Sequence, residues 1–152
     1  MSLITTAPIA KGNWRILMQG LLAAVCVRVQ LPAVTYGEVN AHPGGNPSKI
    51  TAPSGNIEYD DMTVVSFLGE GLPDLLYVWW RSIVDPLTGL GVAATAAYRP
   101  VTVQQITNLS IPQKTHQLIV WPQKREWEEL EGGSDDPNLV TMTFKVQSYF
   151  EI

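Results

Sequence analysis

Apolar and polar residues alternate along most of this chain, and at one place the period changes to that of a helix. Trp14, Ile16 and Met18 alternate with Arg15, Leu17 and Gln19, the pattern of a first strand, and Gly20 breaks it. Val25, Val27, Val29 and Leu31 alternate with Cys26, Arg28 and Gln30, a two-faced strand that Pro32 ends. A short strand is expected from Thr35 to Ala41. The stretch from Asn56 to Val84 then reads as a long strand, a Gly-rich corner and one amphipathic helix. Leu72, Leu75, Leu76, Trp79, Trp80 and Ile83 form the helical stripe. Pro73 suits a first turn, Asp74 the positive helix end and Arg81 the last turn, and Asp85-Pro86 stops the helix.

Strand patterns return from Val101 to Leu109 and from Thr115 to Trp121, closed by Pro122. Gln123 to Glu131 could form a short charged helical turn before the Gly132 to Pro137 turn cluster. In the last segment, Leu139 to Ile152, Val140, Met142, Phe144 and Val146 point one way and Thr141, Thr143, Lys145 and Gln147 the other. The expected fold is therefore mainly β, with the helix covering an open face of a sheet.

Three segments break the pattern. Residues 1–12 have no periodicity and read as an N-terminal arm. Residues 42–56 carry three Pro and three Gly, too long a run for a tight hairpin, and loops of that length are usually functional or disordered. Residues 85–100 are small and apolar rather than charged, so in water they would leave a greasy patch that a lone soluble domain avoids. Both excursions are read as interaction loops on a single domain spanning residues 1–152.

Composition sharpens that reading. Of 152 residues, 45% are apolar but only 16% are charged, so the surface is under-charged and association with copies of itself is the simplest cover. A net charge of −4 disfavours gripping nucleic acid by the outer surface, which needs a basic patch. The single cysteine, Cys26, excludes an internal disulfide framework and fits a reducing compartment. The longest apolar run, Leu21 to Val27, is too short to span a bilayer, and the first residues lack the order of a signal peptide.

Catalytic chemistry finds no candidate. His42 and His116 have no Cys or carboxylate at metal spacing beside them. Asp60 and Asp61, on adjacent strand positions, would point to opposite faces and fail as a dyad. Asp135 and Asp136 suit a turn better than a calcium loop. Gly89-Leu90-Gly91 lacks a third glycine for a dinucleotide site, and no phosphate-cradling, GxSxG or HExxH motif is present. Cys26 alternates with valines as a packed strand residue. No cofactor or metal is expected, and the chain reads as non-enzymatic.

The elements taken together resemble a known family. The Leu31-Pro32-Ala33 corner, the strand Tyr59-Asp60-Asp61-Met62-Thr63-Val64, the helix ending in Trp79-Trp80, the strand running into Trp121-Pro122 and the Tyr149-Phe150-Glu151 tail resemble the tail tube protein of contractile-tailed, T4-type bacteriophages. That family is related in fold to the haemolysin-coregulated protein of type VI secretion. The resemblance implies two packed antiparallel sheets, a small sandwich or barrel, with one flanking helix. It further implies a structural virion protein assembled in the host bacterial cytoplasm. Six copies would form a ring, rings would stack into the inner tube of a tail, and DNA would pass through the lumen without specific binding.

On this sequence the subunit-contact candidates are Trp14 in the arm, His42, Pro43, Gly44, Gly45, Asn46 and Pro47 in the first loop, Leu87, Leu90, Val92 and Tyr98 in the second, and Phe150 and Ile152 in the tail. Lys124, Arg125, Glu128 and Glu129 would face a sheath, and baseplate and neck or terminator proteins would be further partners. Two alternatives stay open. One is a ring that initiates or terminates the tube at baseplate or neck. The other, from a different class, is a β-sandwich carbohydrate-binding module using exposed Trp and Tyr.

Overall fold

The computed structural model describes residues 13–41, 44–45, 50–67, 74–84, 89–91, 97–107, 111–128, 132 and 138–152. In chain order these form β1 (Asn13–Met18), β2 (Leu21–Gln30), β3 (Val34–Ala41), β4 (Ile50–Tyr59), β5 (Met62–Phe67), α1 (Leu75–Ile83), β6 (Arg99–Ile106), β7 (Pro112–Trp127) and β8 (Leu139–Glu151). Six strands close into an antiparallel barrel in the order β1-β2-β5-β8-β7-β6, while β3 and β4 pair only with each other as a separate ribbon. The mainly β expectation with one helix holds, in its barrel form.

Local chemistry sets the joints. Gln19 and Gly20 both take positive φ, 53° and 78°, so β1 and β2 join through a two-residue turn whose twist matches the strands. Cys26 pairs with Ser66 and Arg28 with Val65, which leaves Val27 as an extra residue in β2. That bulge corrects the simple alternation read from sequence: Cys26 is buried inside the barrel and Val27 faces out. Burial pushes the Cys26 thiol up to about 12, so it stays protonated and inert.

Two further expectations change. The long strand starting at Asn56 is two strands in different sheets, broken at Asp60-Asp61. There Asp60 N–H donates to the Ala33 carbonyl at 3.0 Å and Asp61 pairs with Lys145 at 3.1 Å. Pro122 does not end its strand, and residues 123–127 are not a helical turn. β7 runs on to Trp127, and a register shift between Pro122 and Lys124 lets the ladder absorb a residue without an N–H.

The core fills the barrel from every wall: Ile16 from β1, Ala23 and Cys26 from β2, Met62 and Val64 from β5, Val101 and Val103 from β6, Leu118 and Val120 from β7, and Val140, Met142 and Phe144 from β8. Helix α1 does not cover a sheet face. It touches β2 and β7, which stand on opposite sides of the barrel order, and so lies across one mouth. Leu76 and Trp79 drop into the core from that mouth, with Leu75, Trp80 and Ile83 packed partly against it. The Trp79 ring meets Phe144 at 5.7 Å, and its Nε1–H donates to the Ala97 carbonyl at 3.1 Å. Burying one indole this way contributes about 4–6 kcal/mol before entropy is subtracted. Leu72, Pro73 and Asp85-Pro86 lie outside the described residues.

Candidate assembly surfaces

At the helix mouth, Asp74 holds two elements together. Its Oδ1 accepts from Tyr77 N–H at 3.0 Å as the helix cap, and its Oδ2 accepts from Arg125 Nη2 at 2.8 Å. Arg125 lies opposite Met142 in the ladder and turns inward, its guanidinium 5.0 Å from the Tyr77 ring and 5.6 Å from the Trp127 ring. Its side chain is 5% exposed, and its Nε has no hydrogen-bond partner. The outward position expected of Arg125 is thereby corrected; it ties α1 to β7. Lys124 and Glu126 do face out, paired with each other, and Glu128 is exposed. Glu129 lies outside the described residues.

Beside this mouth, the last turn of α1 and the middle of β7 frame a groove of about 450 Å³. Trp80, Ile83 and Val84 make one wall and Trp121 and Pro122 the other, with Arg81 and Gln123 as its polar rim. Among the described residues that line the groove, Arg81 is the one that carries a charge. A volume of that size lies within the range of sites that engulf a small ligand or a few side chains.

The opposite mouth is closed differently. His116, 5% exposed, stacks between Trp14 and Tyr149, with ring centroids 5.8 Å away on both sides. His116 Nδ1 lies 2.9 Å from Tyr149 Oη, and that hydroxyl donates to Glu151 Oε1 at 3.3 Å. The imidazole is therefore the donor to the phenol, and Lys114 completes the chain at 3.1 Å from Glu151. Burial pushes the His116 pKa down and, with Glu151 beside it, pushes Tyr149 up to about 12. The Lys114 ammonium, by hydrogen bond and charge, holds Glu151 below the usual carboxylate range. From sequence, His116 is weighed only as a metal ligand and Tyr149 only as part of the tail, and nothing there brings the two together. The signal was faint: a polar residue at an inward strand position.

The ribbon emerges between β2 and β5, because β3 follows the end of β2 and β4 precedes the start of β5. None of its 8 residues in β3 or 10 in β4 is buried. Tyr36 faces across to Ile57, and Val39 and Ile50 lie further out, all about half exposed or more. The loop expected over residues 42–56 is thus shorter, since Ile50 to Asn56 already belong to β4. Gly37 marks a bulge in the ribbon, where a Cβ would collide with Ser54 Oγ.

The other contact candidates scatter. Trp14 is half-buried in the aromatic stack, whereas Phe150 and Ile152 are exposed on the tail, which is tied down by Ile152 N–H to the Thr115 carbonyl. Leu90 is exposed and Tyr98 half-buried. Gly44 and Gly45 form a turn with open space around both. His42, Pro43, Asn46, Pro47, Leu87 and Val92 lie outside the described residues. Among the described residues no group of three or more His, Cys, Asp or Glu could hold a metal, and no helix is long and apolar enough to cross a membrane.

This small antiparallel barrel with its helix and ribbon is similar in fold to tube and tube-terminating proteins of contractile injection systems and to Hcp. The tube-terminating cap of the anti-feeding prophage superposes with a TM-score of 0.75 at 8% identity, covering 100% of this chain and 95% of that one. The sheath-tube complex of the PVC extracellular contractile injection system gives 0.74 at 13% identity, covering 97% and 93%. Hcp1 from Flavobacterium johnsoniae gives 0.57 at 11% identity, covering 91% and 94%. At such identities the likeness is one of fold. No protein-family model and no curated protein matches the chain.

Proposed function

We propose that this chain is a structural, non-enzymatic subunit of the inner tube of a contractile tail or injection particle. Six copies close into a ring, rings stack into a hollow tube, and a sheath surrounds it. In the phage-tail form of this reading DNA travels down the lumen, and the particle is the protein's location. The observation that carries the proposal is the uncovered β3–β4 ribbon on an otherwise self-contained barrel, together with a likeness that spans nearly the whole chain. An isolated two-stranded ribbon is at best marginal in water, so one with exposed Tyr36, Val39, Ile50 and Ile57 calls for a neighbour.

A second reading, a ring that ends the tube, is favoured by the likeness to the tube-terminating cap. Electron microscopy of the purified chain over rising concentration separates the two. A repeating subunit propagates into tubes, a terminator stops at one ring, and a stable monomer counts against both.

A further inference from the structure

Helix α1 and strand β7 meet at a groove that neither element fills. Trp80 and Ile83 stand on one side and Trp121 and Pro122 on the other, around a volume of about 450 Å³. Both walls are fixed by the fold. Trp80 leans on Tyr77, with ring centroids 6.3 Å apart, and Ile83 packs against the core. Pro122 is fully buried, and the register shift between Pro122 and Lys124 leaves Gln123 out of the β7–β8 ladder, at the rim beside Trp121.

The charge around the groove is one-sided. Among the described residues that line it, only Arg81 is charged. Other described cations are engaged: Arg15 donates to Gln104, Arg99 lies over Trp79, and Lys114, Lys124, Arg125 and Lys145 each meet a carboxylate. Arg81 is exposed and pairs with no carboxylate among the described residues. We propose that the groove is a binding site for a small aromatic carboxylate, its ring lying against Trp80 and Trp121 and its anionic group held by Arg81.

The chemistry of the walls selects that ligand. Indole faces reward a flat ring, which gains stacking as well as burial. A guanidinium keeps its charge at any working pH and meets a carboxylate with two parallel N–H donors. The end of α1 brings about half a negative charge to the same place, and the full charge of Arg81 outweighs it. The volume suits a compact molecule, and walls built on a helix and a strand hold the site open in advance of binding. The site does not depend on the tube reading. A second copy of the chain is the rival occupant, and the test separates the two.

The dilute full-length chain is titrated with naphthoate and followed by calorimetry and by the indole N–H resonances of its five tryptophans. Saturable one-to-one binding is expected. It should shift the Trp80 and Trp121 signals and spare that of Trp79, whose Nε1–H is committed to the Ala97 carbonyl. Arg81→Gln, at an exposed position, should weaken naphthoate about tenfold or more and leave uncharged naphthamide within about twofold. Arg28→Gln, also at an exposed position, should change neither. Absence of saturable binding, binding indifferent to Arg81→Gln, or decanoate bound as tightly as naphthoate overturns the inference. Trp80 and Trp121 signals that move with protein concentration alone also overturn it, because they assign the groove to a second copy.

Discussion

The barrel and the ribbon are made of the same antiparallel strands, yet they stand in opposite thermodynamic positions. Each barrel strand hands one face to a shared interior, where Ile16, Val64, Val103, Val120 and Phe144 meet with almost no exposure. The ribbon strands hand theirs to water. Its ladder from Val34↔Tyr59 to Ala41↔Ile50 satisfies the backbone but buries no side chain. Hydrogen bonds that replace bonds to water contribute about 1 kcal/mol each, whereas fixing the backbone costs about 1–2 kcal/mol per residue, so the ladder alone does not order these 18 residues. The difference teaches where self-sufficiency ends: the barrel explains its own stability, and the ribbon points to another molecule.

Substitutions should divide along that line. Trp79→Ala removes the plug of the helix mouth and should cost about 3–5 kcal/mol in chemical denaturation, with the barrel near unfolding. Asp74→Ala strips the helix cap and leaves the inward Arg125 unpaired. Because Asp74 retains some exposure, about 2–3 kcal/mol is expected in the same assay. A loss well below 1 kcal/mol in either would mean the helix is not part of the barrel's stability.

The second mouth should respond to pH in both directions. His116 has a folded pKa below its unfolded value, so the unfolded chain takes up protons first and stability falls as pH drops below 6.5. His116→Phe keeps the ring stack and should flatten that slope between about pH 7 and 5. Tyr149 works the other way. Its folded pKa is raised from 10.0 to about 12, so its contribution is full below the lower value and lost as pH rises toward the upper. Melting temperatures across both ranges check the signs.

Ribbon substitutions should leave folding alone and damage assembly. Ile57→Asp is expected to shift the monomer's stability by no more than about 0.5 kcal/mol while abolishing rings or tubes in sedimentation. The smallest effect is expected at Lys124. Its pair with Glu126 is solvent-exposed, and Lys124→Ala should change stability by less than about 0.5 kcal/mol.

Much of this architecture was legible in residue order. The alternation of Val140, Met142 and Phe144 named their faces correctly, and the Leu76–Trp79 stripe placed α1, because one-sided burial leaves a period in the sequence. What escaped were features set by pairing rather than by pattern. The Val27 bulge inverts an alternation that looks regular on paper. The 60–61 break looks like continuous strand until β4 and β5 are seen in different sheets. Pro122 suggested a stop because its missing N–H matters only if a partner needs it, and the register shift beside it removes that need. Arg125 looked like part of a solvated charge run, since only the fold reveals that Asp74, Tyr77 and Trp127 converge on it. The groove joins two tryptophans 41 positions apart, Trp80 and Trp121, which no local motif connects.

Amide hydrogen exchange, followed at low protein concentration and again in the assembled state, bears most directly on the ribbon's dependence on neighbours. The account predicts protected barrel amides in both conditions, with β3 and β4 exchanging rapidly in dilute solution and becoming protected on assembly. Ribbon amides as slow as the barrel's in a dilute monomer, or still fast within an assembled tube, would contradict it.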